Sequence, residues 1–328
     1  MKFLVTGGAG YIGSHMVNLL LKQNSEVVVL DNLSTGHEYN IKDCEHLNID
    51  IVDAENLSKK LYKRKFDGVF HFAGKSIVSE SINNPDLYYL NNITGTKNLL
   101  KVMLDNDLNN LIFSSSAAVY GKSELDYIVE DTNKAPINPY GKSKLQAEKD
   151  ISETSERYGL NSISLRYFNA CGADPGGKLG EDHACETHLI PNILQSLLDP
   201  NEAFYVYGNS YPTKDGTCIR DYVHVNDIAK AHYLAFENFG VSRMQQAYNI
   251  GIGKGFSVLE IIKTCEQVTN SKIDIKFKDK REGDPKSLVA SNKSILMDLN
   301  WNPQFTMMQD IIDTAWKWHT KRFELYGH

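Results

Sequence analysis

The chain has 328 residues, 35 Lys and Arg against 41 Asp and Glu, and a formal net charge of −6. That length can bury a large core without disulfides and suits one large and one smaller domain, and the mixed, slightly acidic charge leaves no basic footprint for nucleic acid. No apolar stretch approaches the ~18 residues of a membrane span or begins as a signal peptide, so no membrane association is expected and the protein is assigned to the cytoplasm.

The chain opens on a short apolar run, then Gly7, Gly8, Gly10 and Gly13, then a helical pattern over 11–22. This order predicts a strand, a tight turn and a helix. Gly8, Gly10 and Gly13 fit G-x-G-x-x-G, and Gly7, Gly10 and Gly13 fit the G-x-x-G-x-x-G spacing of short-chain dehydrogenases. Backbone N–H groups and the positive end of the helix there suit a pyrophosphate. A lone glycine pattern often marks only a close-packed turn, but here a second strand over 26–30 follows and ends at Asp31. That carboxylate stands where it can accept from ribose hydroxyls and repel a 2'-phosphate, so NAD is favoured over NADP.

Strands are predicted over 68–72, 111–115 and 162–167, alternating with helices over 53–63, 85–105 and 140–158. The pattern is that of an α/β, Rossmann-type doubly wound parallel sheet, over residues 1–168. Ligands in such sheets lie beyond the carboxyl ends of the strands. Residues 172–183, rich in glycine and charge, are predicted to be a loop. A smaller mixed C-terminal domain over 169–328 follows, with helices near 189–198, 226–238, 258–269 and 308–322 and a strand near 203–207. A segment near 217–250 is a candidate to return to the first domain.

The five cysteines, Cys44, Cys171, Cys185, Cys218 and Cys265, include no C-x-x-C pair, and the ten histidines show no H-E-x-x-H or other close ligand spacing. They read as reduced thiols and ordinary histidines; no metal is expected.

Tyr140 and Lys144 stand at i and i+4 on one predicted helical face. A tyrosine ordinarily ionises near pH 10, so making it a phenolate near pH 7 costs about 4 kcal/mol, and a cation at ~4 Å supplies about that much at an effective dielectric of ~20. Lys144 with an oxidised nicotinamide suffices. Taken alone, Tyr-x-x-x-Lys is more often a solvated helical surface. Ser114, Ser115 and Ser116 end a predicted strand that faces the same crevice; one hydroxyl there orients a substrate oxygen, and two of the three fit a plain polar strand exit.

Taken together, Thr6-Gly-Gly-Ala-Gly-Tyr-Ile-Gly-Ser-His15, Asp31-Asn-Leu33, His71-Phe-Ala-Gly74, Phe113-Ser-Ser-Ser-Ala117, Val119-Tyr-Gly121, Tyr140 to Lys144 and Leu165-Arg-Tyr-Phe-Asn169 resemble the UDP-glucose/UDP-galactose 4-epimerase family, among the extended short-chain dehydrogenases. The likeness continues through Gly216-Thr-Cys-Ile-Arg-Asp-Tyr-Val-His224 and Arg281-Glu-Gly-Asp284. It implies an enzyme, an isomerase of galactose metabolism, that inverts C4 of UDP-hexoses by transient hydride transfer to bound NAD and rotation of a 4-keto intermediate. Tyr140 is then the base, Lys144 lowers its pKa and holds the nicotinamide ribose, and Ser116 bonds the reacting oxygen.

By the same resemblance Gly7, Gly10, Tyr11, Ile12, Gly13, Asp31, Asn32, Asp50, Ile51, Phe72, Ala73, Asn92, Lys144 and Tyr167 line the NAD site. Asn169, Leu189, Arg220 and Arg281, with Ser116, Tyr140 and Leu288, hold the UDP-sugar. Arginines suit a buried diphosphate because they are forked and permanently charged. Residues alone leave open an ordinary ion pair with the adjacent Asp221 or Glu282; the resemblance favours the diphosphate. It also implies a homodimer pairing the helices near 85–105 and 140–158.

Three positions depart from the family pattern. Ala118 replaces a threonine, which leaves Ser116 more of the hydroxyl's role. Lys75 directly follows Gly74, with Ser76 in the place of the family's lysine. Leu288 stands at a pocket-wall position that is tyrosine in epimerases restricted to unmodified hexoses, and the resulting hypothesis adds UDP-GlcNAc and UDP-GalNAc to the substrates. A one-residue slip of alignment would put Ser287 or Val289 there. Two rivals remain: a sugar-nucleotide 4,6-dehydratase or decarboxylase, for which Ala117 and Ala118 lack the required acid, and a non-catalytic NAD-binding regulator.

Overall fold

A computed structural model describes residues 1–123, 125–198, 203–240, 246–281 and 284–326. The strands are β1 (Lys2–Thr6), β2 (Glu26–Asp31), β3 (Glu45–Asn48), β4 (Gly68–His71), β5 (Asn110–Ser116), β6 (Asn161–Tyr167) and β7 (Asn169–Cys171). Then come β8 (Phe204–Tyr207), β9 (Ile219–His224), β10 (Ala247–Ile250), β11 (Gly255–Ser257), β12 (Ile275–Lys278) and β13 (Ser287–Leu288). One parallel sheet of seven strands runs β10-β6-β5-β4-β1-β2-β3. Strand order therefore reverses between β1 and β4, and the two chain directions leave a crevice at the carboxyl ends there.

Alternation along β1 shows how both faces are covered. Phe3 and Val5 join the core under helices Tyr11–Lys22 and Val225–Glu237, while Leu4 joins the opposite core with Leu99, Met103, Ala147 and Ile151. With both faces covered, β1, β2 and β4 are largely apolar along their length. A third core, containing Ile193, Tyr222, Ile261 and Ile311, sits between helices of the C-terminal part.

Ala247–Ile250 pairs with β6 as the seventh strand, and helix Val225–Glu237 packs on helix Tyr11–Lys22, so this stretch belongs physically to the first layer. Strand β9, by contrast, pairs with β7, β11 and β13 in a separate four-stranded sheet. The helix expected over 85–105 is continuous but changes its winding: Pro85–Tyr89 and Gly95–Asp105 are α-helical, and Leu90–Thr94 is a π-helix. Such wide turns are frequent at functional sites, and this one carries the buried Asn92.

Candidate active site

The first loop shows why glycine is needed there. Gly7 has φ +70, and a Cβ on it would stand 2.5 Å from the Ala73 nitrogen; one on Gly13 would stand 2.1 Å from the Gly7 carbonyl. Neither contact can be relieved, because both involve backbone. Gly10 differs, since its nearest such neighbour is 3.4 Å away. It caps helix Tyr11–Lys22 with no side chain over the first-turn N–H groups, leaving them open toward the crevice.

Asp31 ends β2 with both carboxylate oxygens fixed by main chain: Oδ2 accepts from Ala9 N at 2.9 Å and Oδ1 from Leu33 N at 2.8 Å. Asn32 donates to Asp50 Oδ2 at 2.9 Å. Gly7, Gly10, Tyr11, Ile12, Gly13, Asp31, Asn32, Asp50, Ile51, Phe72, Ala73, Lys144 and Tyr167 all line one crevice of about 1620 Å³.

Asn92 stands apart. It is 2% exposed and does not line the crevice. Its side chain accepts from Lys75 N at 2.8 Å and donates to Lys75 O at 3.0 Å and Ser143 Oγ at 2.9 Å. It is a positioning residue, tying the loop after β4 to helix Pro139–Tyr158. Lys75 and Ser76 both border the crevice.

Helix Pro139–Tyr158 starts where the sequence signals it, with Pro139 in its first turn and the Asn138 side chain accepting from Gly141 N at 2.8 Å. Tyr140 in that first turn hydrogen-bonds Ser116, the last residue of β5. Among the protein's own groups, burial raises the Tyr140 pKa and the bond with Ser116 opposes it. One turn further, the buried Lys144 ammonium donates to Ser114 O at 2.7 Å and lies 4.9 Å from the Phe113 ring centroid. Burial lowers its pKa to about 8, against the pull of Glu148. Ser116 Oγ also accepts from Ala118 N at 3.1 Å, so the alanine contributes its backbone to the site. Ser115 turns away to Glu148, which holds Arg166 through two bonds of 2.7 and 2.9 Å.

Two neutral histidines lie buried behind the crevice wall. His232 lies 2.6 Å from the Tyr167 hydroxyl through Nε2 and 2.9 Å from Ile228 O through Nδ1. A carbonyl can only accept, so Nδ1 carries the proton and Tyr167 donates to Nε2. His71 bridges Thr6 and Thr96 at 2.7 and 3.0 Å. Burial lowers His232 to about 4, and burial with the nearby Lys144 charge lowers His71 to about 3.

Across the crevice, Arg220 on β9 and Arg281 face the same space, together with Asn169, Leu189 and Leu288. Arg220 donates to Ile219 O at 2.6 Å and pairs with Asp284. Asp221, its sequence neighbour, is turned away and fully buried, accepting from Ile252, Gly253 and Ala290 nitrogens. Burial raises Asp221 to about 7 despite those bonds. Arg281 lies over the Tyr207 ring at 4.4 Å; Glu282 falls outside the described residues. Leu288 is in register with Arg220 and lines the crevice, whereas Val289 is 5% exposed and Ser287 is not on its wall.

His183, Glu186 and His188 line the crevice too, unanticipated from sequence although a charged 181–188 run is visible there. Despite burial, Glu181 lifts His188 to about 9, and Glu186 and Glu181 raise His183.

Residues 3–251 match the model of the NAD dependent epimerase/dehydratase family. The chain is 46% identical to a UDP-glucose 4-epimerase of Halalkalibacterium halodurans over 319 residues, 97% of this chain and 96% of that one. A crystal structure of a UDP-glucose 4-epimerase superposes with a TM-score of 0.95 at 42% identity, over 98% of each chain. The Bifidobacterium longum UDP-glucose 4-epimerase in complex with NAD+ and UDP superposes at 0.92 with 33% identity, again over 98% of each. With the glycine turn, the ordered acid after β2 and the Tyr140–Lys144 helix in one crevice, this chain belongs to the NAD dependent epimerase/dehydratase family, among its UDP-glucose 4-epimerases.

Proposed function

We propose that this protein interconverts UDP-glucose and UDP-galactose by inverting sugar C4. The observation that carries the reading is the Tyr140 hydroxyl bonded to Ser116 and backed by Lys144, between a dinucleotide-type glycine turn and two arginines. The donor set fits NAD: open helix N–H groups at Gly10, a preordered Asp31 for ribose hydroxyls, and Tyr167 and Lys144 at the far end. Bound NAD supplies a reversible hydride acceptor. Tyr140 takes the proton from the 4-hydroxyl and gives it back, Ser116 orients that oxygen, and the Lys144 charge favours the phenolate. Arg220 and Arg281 hold the diphosphate, with Asn169 and Leu189 beside the uridine and sugar.

On this reading residues 1–168, with the returning stretch 225–250, hold the cofactor and the rest of 169–328 holds the UDP-sugar. A carboxylate for a 4,6-dehydratase would follow Ser116, where Ala117 and Ala118 stand, so elimination has no acid there. Leu288 on the crevice wall supports acceptance of N-acetylated hexoses. A homodimer pairing the helices over 85–105 and 140–158 is part of the same reading, supported by Leu87 and Leu90, which are 36 and 47% exposed. Among the described residues no helix is long and apolar enough to cross a membrane.

The deciding experiment incubates purified protein, without added NAD, with UDP-galactose or UDP-GalNAc and resolves the C4 epimers chromatographically. Conversion of UDP-galactose is expected; a product lacking the 6-hydroxyl, or no product, overturns the reading. Conversion of UDP-GalNAc supports the Leu288 hypothesis, and its failure rejects that hypothesis alone.

A further inference from the structure

Outside the Tyr140 centre, one cluster among the described residues has a chemistry that epimerisation leaves unused. Glu181, His183, Glu186 and His188 each offer one ligand atom, and the four atoms lie within 4.8 Å of one another. Both carboxylate side chains are 4% exposed. His183 Nδ1 stands 3.2 Å from Glu186 Oε2 and 3.4 Å from Glu181 Oε1. His188 Nδ1 stands 3.5 Å from Glu186 Oε1 and bonds Glu181 Oε1.

Each ring nitrogen thus faces both carboxylates. His183 Nδ1 hydrogen-bonds Glu186 and His188 Nδ1 hydrogen-bonds Glu181, and the near-equal separations around His183 also gather the donors about a common centre. Four nitrogen and oxygen ligands set tetrahedrally at ~2.1 Å from a zinc-like ion lie about 3.4 Å from one another. The 3.2 and 3.4 Å contacts of His183 have that spacing, while His188 and Glu181 stand closer. Two imidazoles and two carboxylates are a borderline donor set, and together they balance a double positive charge.

Local structure holds the donors in place. Glu186 Oε1 accepts from Thr187 N at 2.7 Å and His188 N at 2.8 Å, which fixes the carboxylate's orientation. The Glu181 carbonyl accepts from Trp318 Nε1 at 3.2 Å, tying the loop to helix Met308–Tyr326. Neighbouring Asp182 pairs with His37 and with Arg322.

We infer that Glu181, His183, Glu186 and His188 bind one divalent transition-metal cation of the zinc class, as a structural clamp. All four tetrahedral positions are taken by protein, so the site has no open position for chemistry. The ion fastens the loop that forms one crevice wall and leads into helix Leu189–Leu198. It lies beside Tyr11, whose ring centroid is 6.4 Å from that of His183.

The test incubates the full-length protein with excess Zn²⁺, removes loose metal by desalting through a weak chelator, and measures zinc per chain by mass spectrometry. Wild type and Cys185→Ser are expected to retain about one ion, and Glu181→Gln/Glu186→Gln less than a tenth of that. Wild type holding none, the double variant holding as much as wild type, or Cys185→Ser losing the ion would each overturn the site. Should the double variant not fold, the visible spectrum of Co²⁺-loaded wild type decides. Tetrahedral d–d bands without a thiolate charge-transfer band support the His and Glu ligands, and a thiolate band or no d–d bands refutes them.

Discussion

Tyr140 and Lys144 answer to burial in opposite directions, and that sets the pH behaviour of the site. Burial holds the phenol above its ordinary value and lowers the ammonium to about 8. The base works deprotonated, so log kcat is expected to rise with pH on the acid side. Lys144 is charged below about 8 and neutral above it, so its help fades beyond that pH and the rise should flatten. Lys144→Met should remove that break and move the ascending limb to higher pH; an unchanged profile in stopped assays would count against the assignment. Tyr140→Phe is expected to lower kcat by about 10²- to 10⁴-fold while NAD per chain, read by release on denaturation, stays at the wild-type level. These residues are legible in the sequence because i, i+4 spacing is a local property of a helix. Asn92 lies on a π-turn with its side chain held by Lys75 and Ser143, contacts that the sequence pattern does not show because they join segments far apart in the chain.

At the scale of elements, the glycine turn separates two effects of adding a methyl group. Gly13→Ala forces a contact with the Gly7 carbonyl, and Gly7→Ala adds a positive φ to its clash, worth ~1–3 kcal/mol as strain alone. Both are expected to lower the urea midpoint and NAD retention together. Gly10→Ala meets only a 3.4 Å contact, so its midpoint should stay near wild type while NAD retention falls, the methyl intruding over the helix N–H groups. Equal loss of stability in all three would show the turn to be merely structural. The helices over 85–105 and 140–158 carry the proposed dimer face, and Leu87→Glu/Leu90→Glu should convert a dimer to monomer in sedimentation velocity; a wild-type monomer would dismiss the assembly. Short strands such as β3, with Leu47 its one buried residue, leave no local signal in the sequence because pairing with a distant neighbour defines them.

The whole molecule buries a large set of neutral imidazoles. Burial lowers His15, His232 and His319 to about 4 and His71 and His224 to about 3. Each folded pKa lies below the unfolded value near 6.5, so the unfolded chain binds more protons and stability falls as pH drops from about 6.5 toward 3. In the metal-free protein His183 and His188, raised in the folded state, act oppositely: their contribution is present below 6.5 and is lost as pH rises, for His188 through about 9. Asp221, raised to about 7, and Asp227, also raised by burial, oppose the fall as well. With five strongly depressed histidines against these four groups, the thermal midpoint is expected to decline from pH 6.5 to 4; a flat curve there would contradict the buried neutral assignments.

Sequence by itself determined the doubly wound layer, the glycine turn, Asp31 and the Tyr140–Lys144 pair, because strand alternation, turn chemistry and helical spacing act over a few residues. Only tertiary structure decided that Leu288 rather than Val289 faces the crevice, that Asp284 rather than Asp221 meets Arg220, and that Ala247–Ile250 joins the first sheet. It also gathered Glu181, His183, Glu186 and His188 around one point. Those outcomes depend on which face of a short strand is buried and how an irregular loop closes, and both are settled by packing between segments far apart in the chain.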